Sequence, residues 1–226
     1  MSAVLKYSKP VRFAAITQRG AGLVEFQLVT LLALLPMTLG MLQSAFLLVA
    51  SQTLHYATFS AARAGALANA SPAVMQRALA TGLIPLFAVT ADGVRADNVV
   101  GVVTGAFARA FAATQLYARL QVLSPSAAAF DDFGVVEEGV RLIRNDDLEH
   151  RSVQPGRRSG LTIQQANLLR LRVTYCHELI VPFADRLLLA TLRRLDLDPG
   201  SQYCYVLGRV PLVAESSVSM QSDAHQ

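Results

Sequence analysis

Arg19-Gly20-Ala21-Gly22-Leu23-Val24-Glu25-Phe26 opens an apolar run, residues 28–50, that holds no Asp, Glu, Lys or Arg. Its polar members, Thr30, Thr38, Gln43 and Ser44, can hydrogen-bond back onto their own helix. About 20 apolar residues in a helix cross the roughly 30 Å hydrocarbon core of a bilayer, so this run is long enough to span one. Glu25 lies just inside the apolar segment. An unpaired charge there costs on the order of 2.5 to 3.5 kcal/mol when deep and less near the interface, so a cationic partner is expected.

On the N-terminal side, residues 1–20 carry Lys6, Lys9, Arg12 and Arg19 and no acid. By the positive-inside bias this leader stays cytoplasmic and everything after about residue 50 is translocated. A secretory signal peptide is the competing reading. It fits less well, because the run exceeds the 7 to 15 residues typical of such an apolar region, and the nearest small-residue cleavage site is Ala62-Arg63-Ala64. Pro36 predicts a modest kink, which membrane helices tolerate. On the C-terminal side the helical pattern continues through Gln52, His55, Tyr56, Phe59, Ala62, Arg63 and Ala66. The organisation expected is therefore a leader over 1–20, a transmembrane helix with a stalk over 21–69, and an extracytoplasmic α+β domain over 70–226.

Composition supports one anchor and one folded domain: 226 residues, 53% hydrophobic, with no second run of 18 uninterrupted apolar residues. The net charge of +4 and pI near 9.4 raise nucleic acid as a partner, but the Arg residues are scattered without an aromatic-interleaved stripe, so none is expected.

Within the domain, Ser71-Pro72 predicts a helix start and a helix over 73–83, ended or bent by Pro85. Asp92-Gly93 reads as a turn and Asp97 as the cap of a helix over 99–113. Alternation from Leu116 through Ala118, Leu120 and Val122 predicts a strand closed by Ser124-Pro125. Phe130-Asp131-Asp132-Phe133-Gly134 reads as a loop, 139–143 as a short strand, and 144–160 as a long charged loop. A second strand covers 169–179, with Leu169, Leu171, Val173, Tyr175 and His177 on one face and Arg170, Arg172, Thr174 and Cys176 on the other. A Leu-rich helix over 183–195, a turn at Asp198-Pro199-Gly200 and a strand from Val210 complete an α+β fold, with helices packed on an antiparallel or mixed sheet.

Cys176 and Cys204 are the two cysteines. In an oxidising compartment they are expected to form a disulfide; a pair of buried free thiols is the alternative. Cys176-His177-Glu178 offers a thiol, an imidazole and a carboxylate, yet neighbouring strand residues point to opposite faces, whereas a Cys-His nucleophile needs contact. The four His, at 55, 150, 177 and 225, do not have metal-site spacing. Asp131-Asp132 and Asp146-Asp147 read as caps and solvated charge. No enzymatic activity, metal, cofactor or small-molecule substrate is expected.

The block from Arg19 resembles the processing site of type IV prepilins and pseudopilins: a basic leader, a small residue at the cut, and an apolar helix whose fifth residue is Glu. Gly20 stands before the cut, Ala21 after it, and Glu25 falls fifth, followed by Phe26 as in the Flp/Tad branch. The segment Ala61-Ala62-Arg63-Ala64-Gly65-Ala66 and the terminal strand from Arg209-Val210-Pro211-Leu212 are similar to TadE-like proteins. The resemblance implies a TadE-like minor pilin or pseudopilin of a tight-adherence (Flp/Tad) type IV pilus machine, single-pass in a bacterial inner membrane, with its C-terminal domain periplasmic. It implies as partners a prepilin peptidase, other pilus subunits, inner-membrane platform proteins and the lipid bilayer. Cutting after Gly20 frees an α-amine at Ala21, and a neighbouring subunit's Glu25 could neutralise it. A membrane-anchored periplasmic binding or signalling domain unrelated to pili is the alternative.

Overall fold

The apolar run folds as helix, first as α1, Ala21–Val29, then as a π-helical turn, Thr30–Leu34, then as α2, Leu35–Leu67. The π-turn immediately precedes Pro36, which has no N–H to give to the helix ladder, and the Leu35 N–H reaches back to the Thr30 carbonyl across the wider turn. The computed structural model describes residues 21–88, 99–181, 184–196 and 198–226, without the side chains of 21 and 184–188. The leader, Asp92-Gly93, Asp97 and the expected helix start at 183 lie outside these. The chain divides into two compact units, 1–40 and 41–226.

The second unit is α+β. After α2, the left-handed pair Asn69 and Ala70 (φ 55° and 57°) turns the chain into α3, Pro72–Ala88. Pro85 does not end this helix but sits inside it. The next helix, α4, Val99–Tyr117, packs antiparallel on α3, with Arg109 reaching the Phe87 carbonyl (3.2 Å) and Gln115 reaching Gln76 (3.2 Å). Helix α4 runs four residues past the expected end, so Leu116 and Tyr117 are helical and strand β1 covers Ala118–Ser124.

The pair Asp131-Asp132 lies in a helix and not in a loop. Ser126 caps α5, Ala127–Phe133, by accepting from the Ala129 N–H. A hairpin of β2, Val135–Glu137, and β3, Val140–Ile143, comes next, turning through Glu138 and Gly139, both at positive φ. The capping box of Thr162 and Gln165 builds the short α6, Ile163–Ala166, ahead of β4, Leu168–His177. The Leu-rich segment forms α7, Ala184–Leu195. Asp198-Pro199-Gly200, expected as a turn, is the start of α8, Pro199–Val206, with Asp198 as N-cap and Pro199 in the first turn. Strands β5, Val210–Ser219, and β6, Ala224–His225, end the chain.

Among the described residues, six strands make two antiparallel sheets, ordered β1-β4-β5 and β2-β3-β6. In the first, Leu169, Leu171, Val173 and Tyr175 are buried while Arg170 and Arg172 are exposed opposite them, but Thr174 and Cys176 on that second face are buried too, so β4 is covered on one face at its start and on both toward its end. The face of Leu169 and Leu171 and α3 enclose the second half of α2, whose Leu54, Ala57, Ala61, Ala62 and Ala66 are all buried in the core. Ala and Gly at these positions let the backbones approach closely: a Cβ on Gly82 would sit 2.5 Å from Ala57 Cα.

Candidate functional site

Two helices among the described residues are long and apolar enough to cross a membrane, residues 22–67 and Val99–Tyr117. The second contains Arg109, buries Ala106, Ala110, Ala113 and Thr114, and runs straight into β1, so it is part of the folded unit. In the first, the large side chains are displayed: Leu23, Phe26, Leu32, Met37, Met41 and Leu48 are all exposed, Phe26 at 70% and Leu32 at 73%. Apolar surfaces of this size are the kind that membranes or protein partners cover. Glu25 is exposed on α1 between Val24 and Phe26, Ala21 is the first residue of that helix, and Gly20 lies outside the described residues.

Where the run ends, α2 meets the domain. The buried Gln43 accepts a hydrogen bond from the Val181 N–H (2.9 Å), just beyond β4. At the other end of the contact, the Ala66 carbonyl accepts from the N–H groups of Gln221 (3.0 Å) and Ser222 (3.2 Å) and from Ser222 Oγ (3.1 Å). A Cβ on Gly65 would touch Leu169, near the start of β4. The helix from 43 to 66 therefore runs along β4 in the opposite sense, from Val181 back to Leu169. Sequence reasoning gives Gln43 no role beyond bonding to its own helix; an amide in an uncharged run is the signal it offers.

The end of β4 near Gln43 is cross-braced. Cys176 Sγ and Cys204 Sγ are bonded, joining β4 to α8. Tyr203 Oη donates to the Tyr117 carbonyl (2.9 Å), and the Arg209 guanidinium lies 3.9 Å from the centre of the Tyr117 ring while pairing with Glu178 (2.8 Å). Cys176, His177 and Glu178 are thus given to three separate contacts: a disulfide, the ring of Tyr175 at 6.2 Å, and an ion pair. Burial, and then the nearby Arg209 charge, push the His177 imidazole below its ordinary value. Tyr205 is pushed up to about 12 by burial and by its bond to the Asp196 carboxylate (2.9 Å).

The two acidic pairs do not converge. Asp131 accepts from Arg158 and Arg141, both at 2.8 Å, and Asp132 from the Arg158 and Ser159 backbone and from Ser159 Oγ; these bonds hold both carboxyls below the usual range. Asp146 pairs with Arg151 (3.1 Å). No group of three or more His, Cys, Asp or Glu suited to a metal occurs among the described residues. No protein-family model, curated protein or solved structure matches this chain.

Proposed function

We propose that this chain is a single-pass membrane subunit of the TadE-like kind, serving the assembly or secretion step of a tight-adherence pilus machine through association of its N-terminal helix in the bilayer. The observation that carries the reading is the uncharged run over 28–50, its large side chains exposed, with Glu25 near its start. Such a surface suits lateral packing among apolar helices, where a buried carboxylate gains from a cationic mate. The mate is the α-amine of a neighbouring copy cut after Gly20. The domain faces the periplasm and selects partners. N-terminal sequencing of the protein from its host membrane tests this: the expected start is Ala21, and a start at Met1 or Ser2 removes the pilin reading. Glu25→Ala is expected to insert normally and abolish piliation, and normal piliation overturns the pairing.

A further inference from the structure

The contact between Gln43 and Val181 fixes which end of the domain meets the bilayer. If the apolar helix running from Gly22 crosses the membrane, as the proposed function requires, Gln43 lies just past the end of the span: about 20 residues counted from Gly22 reach Met41. Because α2 and β4 run in opposite senses between the Gln43–Val181 and Gly65–Leu169 contacts, the membrane-proximal end of the domain comprises the end of β4, the start of β5, and the chain just beyond Val181. Helix α7 begins three residues after Val181, and three residues span at most about 11 Å, so its first turn is held near the level of Gln43.

The sequence of α7, Ala-Asp-Arg-Leu-Leu-Leu-Ala-Thr-Leu-Arg-Arg-Leu, carries three Arg against one Asp. Over its described side chains, Leu189, Leu192 and Leu195 recur at helical spacing on one side while Arg193 and Arg194 fall away from them. The apolar side is incompletely covered. Leu192 and Leu195 line an open cleft of about 470 Å³ with Tyr205, Val210, Pro211 and Val213, and Leu195 is 78% exposed, as is Ile180 at 64%. Arg193 and Arg194 are exposed in its last turn. An apolar, Leu-lined surface bordered by arginines, placed at the mouth of a transmembrane helix, has the features of an interfacial amphipathic helix. We propose that α7 and the adjoining cleft lie in the outer interface of the membrane, with Leu195 and Ile180 among the acyl chains and Arg193 and Arg194 at anionic lipid headgroups. The membrane-proximal end of the domain is thereby tied to the bilayer surface.

The two native cysteines are paired, so a third introduced singly accepts a fluorophore alone. Full-length Ile180→Cys, Leu195→Cys, Val136→Cys and Leu32→Cys, each labelled with an environment-sensitive dye, are placed in phosphatidylcholine vesicles containing phosphatidylglycerol and exposed to a lipid-borne quencher. All four positions are exposed, so the substitutions leave the core untouched. The labels at 180 and 195 are expected to be quenched at least roughly threefold more than that at 136, with the difference reduced by Arg193→Glu with Arg194→Glu or by omission of phosphatidylglycerol. Quenching at 180 and 195 equal to that at 136 overturns the proposal. The label at 32 separates the two ways of failing: if it is quenched, only the interfacial placement falls; if it is not, the span falls with it.

Discussion

Gly82 is where a single methyl group tests the packing of α3 on α2. A Cβ there meets Ala57 Cα at 2.5 Å and Ala57 Cβ at 2.7 Å, which are backbone and stem atoms that move only with the helix. Gly82→Ala is expected to lower stability by about 1 to 3 kcal/mol in urea denaturation of the detergent-solubilised chain. Gly65→Ala meets chiefly Cγ and Sδ of Met75, a side chain that adapts, and is expected to lose less; the reverse order would show that close helix approach is not the constraint. His177 makes a pH prediction with a definite sign. Its imidazole is pushed below the ordinary 6.5 by burial first and by Arg209 second, so folding favours the neutral form. That contribution is complete above the unfolded-state value and is lost as the pH falls through it toward the lower folded-state value. The melting temperature is expected to fall as the pH drops below about 6.5, and His177→Gln to flatten that fall.

Among the elements, the part of the long loop between β3 and α6 around Arg158 and Ser159 is held by two carboxylates of α5. Asp132, on α5, accepts from the backbone of Arg158 and Ser159 and from Ser159 Oγ, and Asp131 holds the Arg158 side chain. Asp132→Ala is expected to leave the core folded and to speed tryptic cleavage at Arg157 and Arg158 by roughly tenfold, read by limited proteolysis. No change in cleavage would mean the loop is held elsewhere. This element also shows where reading the sequence stops. The alternation of β4 and β5 was legible because one face is buried against helices while Arg170, Arg172 and Glu215 line the other, so the two-residue period survives in the letters. The α4–β1 junction was not, since Leu116 fits an alternating pattern and a helical one equally well. Asp198-Pro199-Gly200 and Phe130-Asp131-Asp132 misled for a shared reason: the residues that make turns also cap helices, and the neighbouring chain decides between them. Strands of two or three residues, β2 and β6, are too short to show a period. The apolar run and Glu25 were plain, but the partner of Gln43 was invisible, because a backbone N–H 138 positions away leaves no mark on composition.

At the scale of the whole molecule, the bond between Cys176 and Cys204 closes a loop of 28 residues that contains α7, most of α8 and the end of β4. Replacing both cysteines by Ser is expected to lower stability by about 3 to 4 kcal/mol, measured by chemical denaturation against the native chain, with the same loss when the native chain is reduced. A loss well under 1 kcal/mol would show that packing alone holds this end. The side-by-side run of α2 and β4 has a mechanical meaning. Between Gln43 and Ala66 a load applied along α2 is carried in shear, because the attachments at those two residues and the buried face between them lie side by side along β4 and share it.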